Sequence, residues 1–194
     1  MAINLDKPQR WKEDVARSVD MYNQWFLDFA PGTFRATRIS ATASVEASLL
    51  VTSYLRDIRP QTMRETPSIL ATLRMATCPP LAVDRLIGLA GVNPSLVKTM
   101  EKDNRLPVRM AADVLDRELQ KIGEIVERMA DPDIFVWLAR GDEPKQEEIH
   151  RAATIVADRL CGAQANPIIR NEQEKRQLTK VKAWLEAKIG RAHV

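Results

Sequence analysis

The sequence predicts an all-α fold, an irregular multi-helix domain containing a helix-turn-helix-like hairpin. Three observations carry this. No run alternates apolar and polar residues with the Val, Ile, Thr and aromatic content of a strand. Apolar residues recur instead every three or four positions. Proline and glycine fall where helices start and stop.

Taken in order, Pro8 opens a first helix that the pattern carries to about Phe29. Proline suits a first helical position because its missing N–H would be unpaired there anyway. Trp11, Val15, Val19, Tyr22 and Phe26 form one apolar face, and Pro31-Gly32 predicts its end. A second helix is expected from about Ser44 to Arg56, with Val45, Leu49 and Leu50 inward and Pro60 beyond its end. Pro67 opens a short third that must stop before Cys78-Pro79-Pro80, since two prolines in a row cannot sit inside a helix. Leu81 to Leu89 is closed by Gly91, and Asn93-Pro94 starts the next helix with Asn as N-cap and Pro in the first turn. Asp103-Asn104 turns the chain again. Ala111 to Met129 is the most regular helix, with Val114, Leu115, Leu119, Ile122, Ile125 and Val126 on its buried side. Phe135 to Leu138 reads as a short apolar turn. Pro144 restarts a helix through Ala157 to Cys161, and Pro167 starts the last one.

Composition excludes several classes. The 194 residues suffice for one domain with a core, and 45% hydrophobic content is ordinary for a globular chain. The net charge of +3 permits a nucleic-acid partner without demanding one. Met1 to Arg10 holds no apolar run, so no secretory signal is expected, and no stretch is apolar enough to span a membrane. A cytoplasmic setting with reduced Cys78 and Cys161 follows as the expectation. Two distant cysteines without nearby histidines make no zinc site. Ile189-Gly190-Arg191-Ala192-His193-Val194 is what one frame of a common sequencing adapter encodes, and the preceding adapter bases fit the end of the Lys188 codon. Residues 188–194 are therefore expected to be adapter read-through, and residues 1–187 the helical region proper. His150 is then the histidine that remains.

Three constellations bear on chemistry. Asp84 to Leu106 has the form of a helix-turn-helix, with Gly91 at the turn and Leu86, Ala90, Val92, Val97 and Met100 where packing residues belong. Asn93, Ser95, Lys98, Thr99 and Lys102 would then project from the second helix, where Lys can meet guanine acceptors and Asn or Ser adenine or phosphate. Ile87 departs from the small residue the motif prefers, and an ordinary helical hairpin with a glycine turn fits as well. Pro132-Asp133 with Glu143-Pro144-Lys145 formally matches a metal-dependent nuclease signature. Pro144 would remove a ladder N–H from the strand such a motif needs, so the match reads as coincidence. On the last helix, Arg170, Lys175 and Arg176 form a basic cluster with Asn171 that could lie along phosphates. A solvated linking helix is the alternative. His150 beside Glu147 and Glu148 reads as a surface residue, and Cys161 before Gly162 as a small buried residue at a helix end.

Four long stretches together resemble one family: MAINLDKPQRWKEDVARSVDMYNQWF, LRMATCPPLAVDRLIGLAGV, DPDIFVWL and TIVADRLCGAQANPIIRNEQEKRQL. They resemble the N-terminal part of the XamI family of type II restriction endonucleases, and the likeness runs to Ala187. The resemblance implies a bacterial enzyme that cuts double-stranded DNA at a short specific site, uses Mg²⁺, works beside a methyltransferase and can act as a homodimer. It also implies that the family's C-terminal α/β nuclease domain lies outside this chain, so no catalytic, metal-binding or cofactor-binding residue is carried over. The chain is thus expected to be an N-terminal fragment, inactive alone. A stand-alone helical DNA-binding regulator and a purely structural scaffold remain as alternatives.

Overall fold

The structure, a computed structural model, describes residues 8–189. The adapter-like tail from Gly190 onward, with His193, lies outside them. Among the described residues eight helices follow in order: α1 (Pro8–Val51), α2 (Pro60–Glu65), α3 (Ile69–Met75), α4 (Val83–Ala90), α5 (Pro94–Asp103), α6 (Ala112–Met129), α7 (Val136–Arg140) and α8 (Gln146–Ile189). Among the described residues no strand forms, only an isolated antiparallel bridge between Thr77 and Ala130. The all-α expectation holds.

Two compact units divide the chain. One comprises residues 38–163, and the other is built from residues before 38 and after 163. The core lies in the first of these. Leu49, Met63, Leu70, Leu73, Leu86, Leu96, Met100, Leu119, Ile122 and Trp137 are each almost wholly buried there. The buried residues of α6 are Leu115, Leu119, Ile122, Gly123 and Val126, the three-and-four spacing of one helix face. That face packs on α2 and α4.

Both proline-based boundaries in the long helices fail. Pro31 lies inside α1 and Pro167 inside α8. Of the expected Ser44–Arg56 helix, residues 44–51 are the end of α1 while residues 52–56 form a turn beyond it, and the segment after Pro167 continues α8. An interior proline removes one backbone bond and crowds the carbonyl four residues back, at a cost of about 3 kcal/mol. The helix survives because the lost bond is single while every neighbouring bond remains. Near Pro31 the hydroxyls add local bonds: Thr33 Oγ1 donates to the Phe29 carbonyl at 3.0 Å and Thr37 Oγ1 to that of Thr33 at 2.8 Å. Phe135 to Leu138, expected as a turn, leads into the short helix α7. Pro60 begins a helix that the sequence reading passed over.

Between α1 and α2 the backbone turns left-handed for three residues, with φ of 47° at Ser53, 60° at Tyr54 and 65° at Leu55. Each costs a non-glycine residue about 1–2 kcal/mol. Four bonds hold the turn. Tyr54 N–H donates to the Leu49 carbonyl at 2.6 Å and Asp57 N–H to that of Thr52 at 2.9 Å. Leu55 N–H donates to Thr52 Oγ1 at 3.1 Å, and Trp137 Nε1–H reaches the Tyr54 carbonyl at 2.9 Å.

A second knot joins the end of α3 to the end of α6. Cys78 N–H donates to the Met129 carbonyl at 2.8 Å and Asp131 N–H to that of Ala76 at 3.0 Å. Arg159 of α8 clamps it, pairing with Asp131 at 2.9 Å and donating to the carbonyls of Met75 and Thr77 at 3.1 and 3.2 Å. The Asp131 side chain is only 7% exposed. Arg159→Ala should therefore lower stability by about 3 kcal/mol in urea unfolding, because a buried carboxylate loses its partner. Gly123 offers a sharper steric check: a Cβ there would stand 2.6 Å from the Ile58 carbonyl oxygen. Gly123→Ala is expected to destabilise by about 1–2 kcal/mol, overpacking outweighing the roughly 1 kcal/mol of helix propensity alanine brings. A raised Tm would refute that balance.

Candidate nucleic-acid interface

Helices α4 and α5 pack on one another as a helical hairpin. Gly91 closes α4 in the left-handed region at φ 60°, its N–H donating to the Ile87 carbonyl at 2.9 Å. Only glycine adopts that conformation without a Cβ penalty. Two residues on, Asn93 caps α5, its Oδ1 accepting the Ser95 N–H at 2.8 Å. All five expected packing residues, Leu86, Ala90, Val92, Val97 and Met100, are buried, together with Leu96. Ile87 is half-buried, so the departure from a small residue is accommodated. Asn104 ends α5 at φ 52°.

Neighbouring helices fix the hairpin's pose. Arg74 of α3, with its side chain 8% exposed, grips Glu101 of α5 through Nε at 2.5 Å and Nη2 at 2.8 Å. Its Nη1 donates to the Leu81 carbonyl at the hairpin's entry. At the turn, Asn93 N–H donates to Glu118 Oε2 of α6 at 3.1 Å. With the inner face so pinned, Ser95, Lys98 and Lys102 are exposed and Thr99 half-exposed. Lys98 Nζ lies 3.6 Å from Asp84 Oδ1 across the hairpin. Both groups are solvated, so a stronger anion displaces that pair at little cost. Asn93 is also exposed, but its Oδ1 is spent on the cap. A base or phosphate could engage only its amide nitrogen.

The candidates on α8 belong to the other compact unit. Arg170 and Lys175 are exposed, Lys175 lying 4.0 Å from Glu172. Arg176 is not a free surface cation. Its guanidinium sits 5.6 Å from the centroid of the Trp25 ring of α1. The attraction to the ring face is worth about 0.5–1 kcal/mol at such a site. Trp25 itself stacks on Phe29 at 5.4 Å. Arg176 lines a groove of about 260 Å³ with Arg17, Tyr22, Trp25 and Lys180 among its walls. Arg17 escaped the sequence reading. The signal available was the aromatic run Tyr22–Trp25–Phe26–Phe29 facing a basic helix.

The formal nuclease signature falls on loop and turn residues rather than on a strand. Glu143 and Lys145 stand in the loop before α8, with Glu143 paired to Arg56 in the turn after α1. Asp133 is exposed, and its carbonyl accepts from Arg151 at 2.9 Å. Among the described residues no three His, Cys, Asp or Glu side chains converge as ligands. These donors do not fit a divalent-ion centre. His150 is exposed, as expected, while buried Cys161 lies within α8 rather than at a helix end. Among the described residues no helix is long and apolar enough to cross a membrane.

The description "XamI restriction endonuclease" matches residues 53–190 of the chain. The type II restriction enzyme SalI of Streptomyces albus G is 50% identical over 188 residues, which are 96% of this chain and 59% of that enzyme. The chain thus spans about three-fifths of its relative's length. No solved structure matches.

The loop before α8 also yields a pH prediction. Arg140 binds Glu148 through Nη1 at 2.5 Å and Nη2 at 3.0 Å, and the Lys145 N–H adds a third bond at 2.9 Å. The guanidinium and that N–H hold the Glu148 carboxyl down at about 2, and Arg140 is in turn raised. A depressed carboxyl stabilises above its unfolded value, near 4.5, and loses that contribution as pH falls towards 2. A carbon-detected titration should place Glu148 near 2 in the native chain and back towards 4.5 in Arg140→Ala. An unchanged midpoint in the variant would remove Arg140 as the cause.

Proposed function

We propose, from the premise that this chain belongs to the XamI restriction endonuclease family, that it supplies the helical, DNA-engaging portion of a bacterial type II site-specific deoxyribonuclease. The observation carrying this reading is the pinned α4–α5 hairpin. Its inner face is buried and its outer face offers Ser95, Lys98, Thr99 and Lys102. A recognition helix needs that arrangement, rigid behind and polar in front. In the proposal α5 enters the major groove and reads base edges, while Arg170 and Lys175 contribute phosphate contacts that carry no sequence information, and Arg176 stays on the Trp25 ring. The substrate is double-stranded DNA in the cytoplasm. Hydrolysis in the intact enzyme requires Mg²⁺, held by residues outside the set described above.

Electrophoretic binding at low and high salt tests the reading. This chain should bind duplex DNA weakly, without sequence preference, and lose affinity steeply with salt. Tight sequence-specific binding by the chain alone would favour a regulator, and no binding at low salt a scaffold. In an enzyme of full family length, Lys98→Ala should relax sequence preference, whereas Lys175→Ala should weaken binding to all sequences alike. Equal effects would remove the recognition-helix assignment. Supplied with Mg²⁺, the 194-residue chain should not nick a plasmid. Turnover abolished by Glu143→Ala would overturn the placement of catalysis elsewhere.

A further inference from the structure

The loop between α5 and α6 holds an apolar tip in water. Its sequence, Asn104-Arg105-Leu106-Pro107-Val108-Arg109-Met110-Ala111, turns at Val108-Arg109. Val108 is 90% exposed, more than any other large apolar side chain among the described residues. One exposed apolar residue means little by itself. Here its setting is built. Leu106, Pro107 and Met110 on either side are half-buried, so the loop is held down at its flanks and open at its tip.

Both ends of the loop are fixed. At the entry Asn104 caps α5 at φ 52°, its N–H donating to the Met100 carbonyl at 3.2 Å. At the exit Arg64 of α2 donates through Nη2 to the Ala112 carbonyl at 3.1 Å. From Lys102 to Ala112 the chain carries three bases, Lys102, Arg105 and Arg109, and one acid, Asp103. Arg105 lies 3.3 Å from Asp103 and neutralises it. Arg109 is exposed and makes no ion pair among the described residues. The tip thus presents an apolar side chain and an uncommitted guanidinium at adjacent positions.

We propose that this tip enters the minor groove of the duplex whose major groove α5 occupies, an inference that rests on that placement of α5. The minor groove supplies what the tip lacks. Its electronegative floor draws arginine, and its deoxyribose walls are apolar enough to cover Val108. A helix lying in the major groove ends against a sugar–phosphate backbone, and the groove beyond that backbone is the minor one. At about 3.3 Å per residue, the chain from Asn104 to Val108 reaches up to about 13 Å, enough to cross one backbone into a groove about 6 Å wide. A protein partner would have to bring acids to meet the cationic excess, whereas DNA offers them at every phosphate. In this arrangement α5 and the loop grip one backbone from both sides, Lys102 from the major groove and Arg109 from the minor.

Fluorescence anisotropy of the 194-residue chain on an A·T-rich duplex at low salt tests it, with netropsin as the probe that fills the minor groove. Saturating netropsin should weaken the wild-type chain about tenfold. Arg109→Ala should weaken binding about as much, and netropsin should then cost little more. Lys175→Ala, the phosphate-contact control, should lose affinity yet stay sensitive to netropsin. Val108→Ala should bind about fivefold more weakly with an unchanged salt slope, because an apolar contact releases no counterions. Both tip positions are exposed, so helical circular dichroism should be the same in every variant. Binding that netropsin does not disturb, or an Arg109→Ala variant as sensitive to it as the wild type, overturns the proposal. The DNA-binding reading then stands, and the loop is left to face a protein surface. A Val108→Ala variant with wild-type affinity overturns the apolar contact. A chain that binds no duplex at low salt removes both readings together, which distinguishes that failure from the loop's own.

Discussion

Two guanidinium groups leave water at the end of α3, and the geometry of the candidate interface depends on them. Arg74 and Arg159 approach the segment Arg74–Thr77 from its own side chain and from α8 respectively. Arg74 fixes α5 through Glu101 and the entry to α4 through the Leu81 carbonyl. Arg159 fixes the carbonyls of Met75 and Thr77 against Asp131. Burying an arginine is costly unless its donors are satisfied, and here the planar fork of donors meets carboxylates and carbonyls together. Lysine in either place would supply one point charge and fewer directed bonds. A four-residue segment thereby carries the registration of α5 and α8 on α3, and α5 is the helix that presents Lys98 and Lys102 outward.

The hairpin was legible in the sequence because its signals are local and chemical. Gly91 permits a left-handed residue, Asn93 offers a cap, and the apolar spacing from Leu86 to Met100 names the inner face. Its anchoring was not legible. Glu101 reads as one acid on a solvated helix until Arg74, twenty-seven positions earlier, is folded against it. Glu118 likewise reads as part of the exposed side of α6, yet it accepts the backbone N–H of Asn93. Such pairs are tertiary, and no periodicity encodes them.

The long helices show the opposite failure. Pro31-Gly32 and Asn166-Pro167 carry strong local breaking signals, yet α1 and α8 run through both. Local preference competes with the bonds on either side, and forty-four residues of helix hold many of them. The left-handed turn at Ser53–Leu55 inverts the lesson. It lacks any glycine or asparagine that would announce it, because its conformation is imposed by Thr52 and by Trp137 from far along the chain.

Periodicity correctly identified an apolar face on α1, and its surroundings correct what that face does. Trp11, Val15, Val19, Tyr22 and Phe26 have the spacing of a core helix and the exposure of a surface one. An amphipathic pattern states that a face needs covering, but never by what. Trp25, one position off the stripe, is the residue that turns towards α8, where Arg176 covers it. The same basic helix therefore does two things. Arg176 is drawn inward to an aromatic ring, while Arg170 and Lys175 remain in solvent. A cluster that looks uniform as a string of charges is divided by which side of the helix each residue occupies. That division separates the cations free to meet phosphate from the one that holds two helices together.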